Sequence, residues 1–184
     1  MLTNGQTEDF ALPGLRSLGD LHGAQPVIYV DTREVKPLQF RHLSVIRQTL
    51  GEGDYQICGI SDWSVERKAS LDELVGCCVG KKRERFEREL QRLRPYAFKR
   101  LLVVGATCDD DVLNYQYFSE IAPRAVLGSL DAWQAAFDLP FILVPTPQEA
   151  ALTIERLAFY WCRRKVKEMN ELTKGCGRLE FVSA

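Results

Sequence analysis

Apolar residues along this chain fall into two rhythms. Val27, Ile28, Tyr29 and Val30 follow one another without a polar break, as in a strand buried on both faces, and the run ends abruptly in Asp31-Thr32-Arg33-Glu34. From Phe40 to Leu50 the rhythm changes: Leu43, Ile46 and Leu50 recur at helical spacing and predict a helix stopped by Gly51 and Gly53. Tyr55 to Ile60 and Trp63 to Lys68 read as two strands joined by Gly59, Ser61 and Asp62 in a hairpin. Ser70 and Glu73 fit a capping box that opens a long helix toward Leu93, with Gly76 and Gly80 weakening its first half and Pro95 beyond its end.

The second half repeats the alternation. Leu101 to Val104 predicts a buried strand, followed by Asp109-Asp110-Asp111, which reads as a solvated loop. Ala132 to Phe137 predicts a short helix capped at Ser129 or Asp131, and Phe141 to Val144 a fourth interior strand. Thr146, Pro147 and Glu149 then mark a helix start, and Ala151, Ile154, Ala158 and Trp161 continue its apolar stripe. Strands alternating with helices predict an α/β fold, a central mixed sheet flanked by helices, and no internal repeat is present. Residues 1–25, with four glycines and one proline, read as an irregular leader; the main domain is expected over 26–164 and a basic tail over 165–184.

Composition adds little until it is resolved along the chain. A length of 184 residues suits one domain, and 46% hydrophobic with 27% charged residues is ordinary globular usage. The net charge of −1 argues against a histone-like polycation and against a polybasic membrane-surface protein. That total is a cancellation. Residues 81–100 sum to +6, residues 101–162 to −6 and residues 163–184 to +3. Six cysteines without C-x-x-C pairs or partner histidines speak against a zinc site and for reduced thiols. With neither a signal-like N-terminus nor a spanning apolar run, a cytoplasmic setting is expected, nucleoid-associated if the source is prokaryotic or phage.

Asp54, Glu66 and Lys68 need a chemical account. Glu66 and Lys68 stand two apart on a strand and so share a face of the sheet. A hairpin turning near Ile60 sets Asp54 almost opposite Arg67, a diagonal step from Glu66, and Asp31 can join from the adjacent strand. Carboxylates about 4 Å apart repel by roughly 4 kcal/mol at an effective dielectric near 20, so a proton or a cation must offset the repulsion. All-oxygen ligands suit Mg²⁺ or Mn²⁺, and Lys68 beside the metal would orient or deprotonate a water and stabilise charge on phosphorus. Spacing alone equally fits an exposed strand end with Asp54 in a turn.

The order VDTRE (30–34), GDY (53–55) and VERKASLDEL (65–74) resembles the nuclease domain of the XPF-type structure-specific endonucleases, relatives that include archaeal Hef and the Mus-type flap endonucleases. The resemblance runs from about Val27 to Arg164. It implies a restriction-endonuclease-like variant of the PD-(D/E)xK core, with Asp54 and Glu66 as metal ligands, Asp31 as a further acidic residue in the metal's shell, and Lys68 as the catalytic lysine. Arg33, Glu34 and Arg67 match positions in or around that family's active site, and Asp72 matches one that orients neighbours at the helix start. Beside such a centre, Lys81, Lys82, Arg83 and Arg85 read as contacts to the DNA backbone, strongly salt-dependent and with little sequence preference.

The resemblance further implies branched, flap or fork DNA in repair or recombination, a Mg²⁺ cofactor with Mn²⁺ able to substitute, no organic cofactor, and a homodimer or heteromer through the C-terminal helix. After Arg164 too few residues follow for the tandem helix-hairpin-helix module that such nucleases commonly carry. The competing expectation is a non-catalytic nuclease-like module that binds DNA or a partner subunit. It is disfavoured because every acidic and ERK residue of the signature is present.

Overall fold

The computed structural model describes residues 25–175. Most of the expected leader and the last nine residues of the expected tail lie outside them. Eleven elements follow in chain order: β1 (Ile28–Asp31), β2 (Val45–Gln48), β3 (Tyr55–Ile57), β4 (Trp63–Lys68), α1 (Leu71–Gly76), α2 (Gly80–Leu93), β5 (Phe98–Val104), α3 (Asp109–Asn114), α4 (Pro123–Phe137), β6 (Phe141–Val144) and α5 (Pro147–Gly175). The strands form one mixed sheet in the order β2-β1-β3-β4-β5-β6. β1 runs parallel to β2 and antiparallel to β3, β3 and β4 form the antiparallel hairpin, and β4, β5 and β6 are parallel. This is the α/β architecture that the alternating pattern predicts.

Each face of the sheet carries its own core. On one face α5 lays Ala151, Ile154, Ala158 and Trp161 over Ile28, Val30, Tyr55 and Val65, with Trp63 stacked on Phe98 at 5.4 Å. On the other, α1, α2 and α4 pack Leu74, Phe86, Leu90 and Trp133 against Leu101 and Val103 of β5. Burial on both faces explains the unbroken apolar run of β5, whose two neighbours are parallel to it; in β1 Ile28 and Val30 enter the core while Tyr29 stays half-buried. β4 is buried at all six positions, Glu66, Arg67 and Lys68 included.

Several elements differ from the pattern-based reading. The helix expected over Phe40–Leu50 is absent, and its residues supply the edge strand β2. Leu43 and Leu50 do enter the core, but Ile46 is 48% exposed, so the helical spacing there is a coincidence of an extended chain. Glu155 of α5 is 1% exposed, and its Oε1 accepts the backbone N–H groups of Arg41, His42 and Leu43 at 2.7–3.2 Å, tying the segment before β2 to that helix. Val45–Gln48 beyond them pair in parallel with β1, which draws this stretch into the sheet.

The long helix from Ser70 to Leu93 is two helices. α1 stops at Gly76, Cys77 and Cys78 return their N–H groups to Leu74 and Val75, and Gly80 opens α2 at φ +57°. Ser70 accepts the Glu73 N–H as the capping box requires, while Glu73 Oε2 accepts from Ala69, one residue earlier than expected. α4 begins at Pro123 and is far longer than the Ala132–Phe137 segment; Ser129 is no cap but a buried residue bonded back to the Ala125 carbonyl. The triple aspartate is the first turn of α3, with Asp111 accepting from the Thr107 backbone. β6 lies at the sheet's edge and three of its four residues are half-buried. Thr146 caps α5 through the Glu149 N–H, and that helix passes Arg164 without a break.

Candidate active site

The β3–β4 hairpin builds the site from its backbone outward. The register pairs Tyr55 with Val65, which sets Asp54 opposite Glu66 rather than Arg67; the two carboxylates therefore share one face of the sheet. Asp54 is pinned on both flanks, its N–H donating to the Val65 carbonyl and its own carbonyl accepting the Asp31 N–H, both at 2.9 Å. Gly53 makes this approach feasible. Its φ is +70°, and a Cβ there would run into Ser64 Oγ. The Asp54 side chain then accepts the Arg67 N–H through Oδ2 at 2.7 Å.

Glu66 and Lys68 form a buried ion pair, Nζ to Oε1 2.8 Å, at 8% and 6% exposure. With Asp54 they line an open cleft of about 420 Å³, whose rim is the 33–36 turn on one side and Ala69, Ser70 and Glu73 on the other. Burial pushes the Asp54 carboxyl up to about 8, and the facing Glu66 adds to it; the Arg67 N–H and Lys68 only partly oppose. Burial also raises Glu66 against the pull of Lys68, with Glu89 and Glu73 pushing further. For Lys68 burial favours the neutral amine, but Glu66, with Cys77 and Asp54, outweighs it, and the net direction is upward.

The remaining candidates divide. Asp31, 1% exposed, does not line the cleft. Its Oδ1 accepts the Arg33 N–H and Nε at 2.7 and 2.9 Å, and its Oδ2 accepts Arg33 Nη2 and the Leu50 N–H at 2.6 and 3.2 Å. The Arg33 guanidinium holds the Asp31 carboxyl below its ordinary value. Arg67 does line the cleft and turns its guanidinium to the 33–36 turn. Its Nη2 donates to the Lys36 carbonyl at 2.9 Å and pairs with Glu34 Oε1 at 3.1 Å, fixing the turn that carries Arg33 and Glu34 to the rim. Asp72 accepts from the Tyr115 hydroxyl and the Phe118 N–H and so orders a loop beyond α1.

The basic residues of α2 also separate. Lys81, Lys82 and Arg85 are exposed, Arg85 with Glu89 at 3.4 Å. Arg83 is turned inward: it donates to the Cys78 carbonyl and to Ser129 Oγ, pairs with Glu87 at 2.8 Å and lies 5.3 Å from the Trp133 ring centroid. It fastens α2 to α4.

Sequence reasoning missed Glu89 and Phe86, which α2 turns toward the site, and saw Glu73 only as a cap. Phe86 was visible as the first of the apolar positions Phe86, Leu90 and Leu93, but nothing in that stripe tells a core residue from one beneath Lys68. Among the described residues no group of three or more His, Cys, Asp or Glu side chains is placed to hold a metal ion; Asp54 and Glu66 are the two carboxylates that face each other in the cleft. Two carboxylates displaced upward by burial, Asp54 further by Glu66, with the Lys68 ammonium 2.8 Å from Glu66, make a site that a hard cation fits. Mg²⁺ and Mn²⁺ take one or two carboxylates and fill the rest of their shell with water and phosphate oxygen.

A model of the ERCC4 domain family matches residues 30–157. Among solved structures, XPF from Aeropyrum pernix is similar with a TM-score of 0.61 and 24% identity, over 80% of this chain and 70% of that one. A structure described as XPF from Aeropyrum pernix in complex with DNA is similar with a TM-score of 0.58 and 23% identity, over 76% of this chain and 66% of the other. At such identities the likeness is one of fold. No curated protein matches the chain.

Proposed function

The chain belongs to the ERCC4 domain family, the XPF-type nucleases, and from that premise we propose that it is a metal-dependent DNA endonuclease acting at branched, flap or fork structures in repair or recombination. One observation carries the reading: Asp54 and Glu66 face each other at the end of a buried hairpin, with Lys68 2.8 Å from Glu66, in a cleft open to solvent. Asp54 and Glu66 would hold Mg²⁺ or Mn²⁺, which when bound supplies Lewis acidity at a phosphoryl oxygen.

Phosphodiester hydrolysis makes one bond from a water oxygen to phosphorus, breaks one ester P–O bond and leaves the departing oxygen protonated. Lys68, whose charged form the neighbouring carboxylates favour, is placed to donate hydrogen bonds and to stabilise the growing negative charge. Arg67, Glu34 and the Asp31–Arg33 clamp position the rim. Lys81 and Lys82, free of ion-pair partners among the described residues, are offered to DNA phosphates, and Arg85 joins them at the cost of a weak pairing with Glu89.

Pairing of two copies through α5 is supported by Leu152, Tyr160, Met169 and Leu172, large apolar side chains left on its surface. No helix among the described residues is long and apolar enough to cross a membrane. Cleavage of end-labelled forks and flaps with Mg²⁺ or Mn²⁺ tests the proposal. Product from the parent, and at least a hundredfold less from Asp54→Ala and Glu66→Ala, is expected; a parent that cuts none of these substrates, with both variants binding DNA unchanged, supports a non-catalytic DNA-binding module instead.

A further inference from the structure

Lys68 is held from two sides. Its Nζ lies 2.8 Å from Glu66 Oε1 and 4.1 Å from the centroid of the Phe86 ring. The ring is 1% exposed and meets Trp133 edge to face at 5.0 Å; Trp133 in turn donates its indole N–H to Glu87 and lies under Arg83. Phe86 is thus the inner end of a braced stack that crosses from α2 to α4. The apolar stripe of α2 requires only a large hydrophobe at this position. Leucine or methionine would fill it, whereas only an aromatic face presents negative potential to an ammonium.

We propose that Phe86 is a positioning residue of the active site, its ring face holding the Lys68 ammonium in the cleft whenever Glu66 is engaged elsewhere. Glu66 has two duties that compete. It is the ion partner of Lys68 and, on the reading above, a carboxylate for the divalent cation; an oxygen given to that cation binds an ammonium less well. The aromatic face is the hold on Nζ that this competition leaves intact. Without it, a four-carbon stem rich in rotamers is released at the moment its placement matters. The inference rests on the nuclease reading for the cation's claim on Glu66 and for the catalytic consequence.

Replacing Phe86 by 4-fluoro-, 3,5-difluoro- and 3,4,5-trifluorophenylalanine drains the ring face of negative potential at nearly constant shape, with Phe86→Leu as the end point. The ¹⁵N order parameter of Lys68 Nζ is expected to fall stepwise along the series, more steeply with Mg²⁺ than in chelator. On a labelled fork, kcat should fall about 3- to 30-fold by the end of the series with KM little changed. Thermal midpoints of the fluorinated chains should stay within a few degrees of the parent, which separates the effect from unfolding. An unchanged Nζ order parameter overturns the proposal whether or not the protein cuts DNA, and so does a rise in KM at constant kcat. Stepwise loss of order in a parent that cuts nothing upholds the support and removes the nuclease reading.

Discussion

Asp54→Asn should make the metal-free protein more stable while disabling it. The amide keeps an oxygen for the Arg67 N–H, so the change removes charge more than contact. The Asp54 carboxyl titrates at about 8 in the fold against 3.8 in its free state. For an acid displaced upward, the native chain holds a proton that the unfolded chain releases. Stability is therefore unimpaired below about pH 4, declines as pH rises through the window from 4 to 8, and is lowest above 8. At about 1.4 kcal/mol per pH unit of displacement, ionising Asp54 costs the fold on the order of 4 kcal/mol at pH 7. A protein of this size shifts its melting point by roughly 2–4 °C per kcal/mol. In chelator, the parent's thermal midpoint should drop between pH 4 and 8. Asp54→Asn should flatten that drop and melt roughly 8–16 °C higher than the parent at pH 7. Mg²⁺ added at pH 8 should restore much of the parent's loss and do little for the variant. A variant no more stable than the parent at pH 8 in chelator would refute the idea that the cleft stores unfavourable charge awaiting a cation.

Separating the two kinds of basic residue on α2 is a second test. Lys81→Glu with Lys82→Glu should weaken DNA binding at low salt and flatten the slope of log K against log salt by about two, with the melting point nearly unchanged. Arg83→Ala should do the reverse, costing about 1–2 kcal/mol of stability with the salt slope intact, because its partners are Ser129, Glu87 and the Cys78 carbonyl. Glu155→Gln, which weakens three charge-assisted backbone bonds, should cost about 1–3 kcal/mol and speed amide hydrogen exchange at Arg41–Leu43 and in β2 ahead of the rest of the sheet. Gly53→Ala should lose more than about 2 kcal/mol and most cleavage, since φ +70° and the collision with Ser64 both push Asp54 off its strand; a fully active variant would contradict the role given to that glycine.

What was legible in the sequence follows the range of the forces involved. β5 announces itself because a strand buried on both faces needs an unbroken apolar run, and Ser70 and Thr146 because a cap satisfies amides within its own turn. Asp54, Glu66 and Lys68 come together through a hairpin, a local structure, and only its register was one residue off. β2 was unreadable for the opposite reason: it is held by parallel pairing with β1, and the amides just before it are tied to a carboxylate more than a hundred positions away. The same holds for Arg83, whose charge suggests DNA until α4 supplies Ser129 and Trp133, and for Asp31, whose place in the VD-x-RE segment does not reveal that Arg33 and Leu50 use up its oxygens.

The complete burial of β4 has a genetic consequence. In most enzymes a screen for lost activity can be sorted afterwards into chains that fail to fold and chains that fold but fail to react. Along Trp63–Lys68 the two classes merge, because Trp63 and Val65 are core, Arg67 braces the rim, and Glu66 and Lys68 balance each other's charge while facing the cleft. Drift through this hexapeptide is therefore narrow for two reasons at once, and a compensating change elsewhere can rescue one failure without the other.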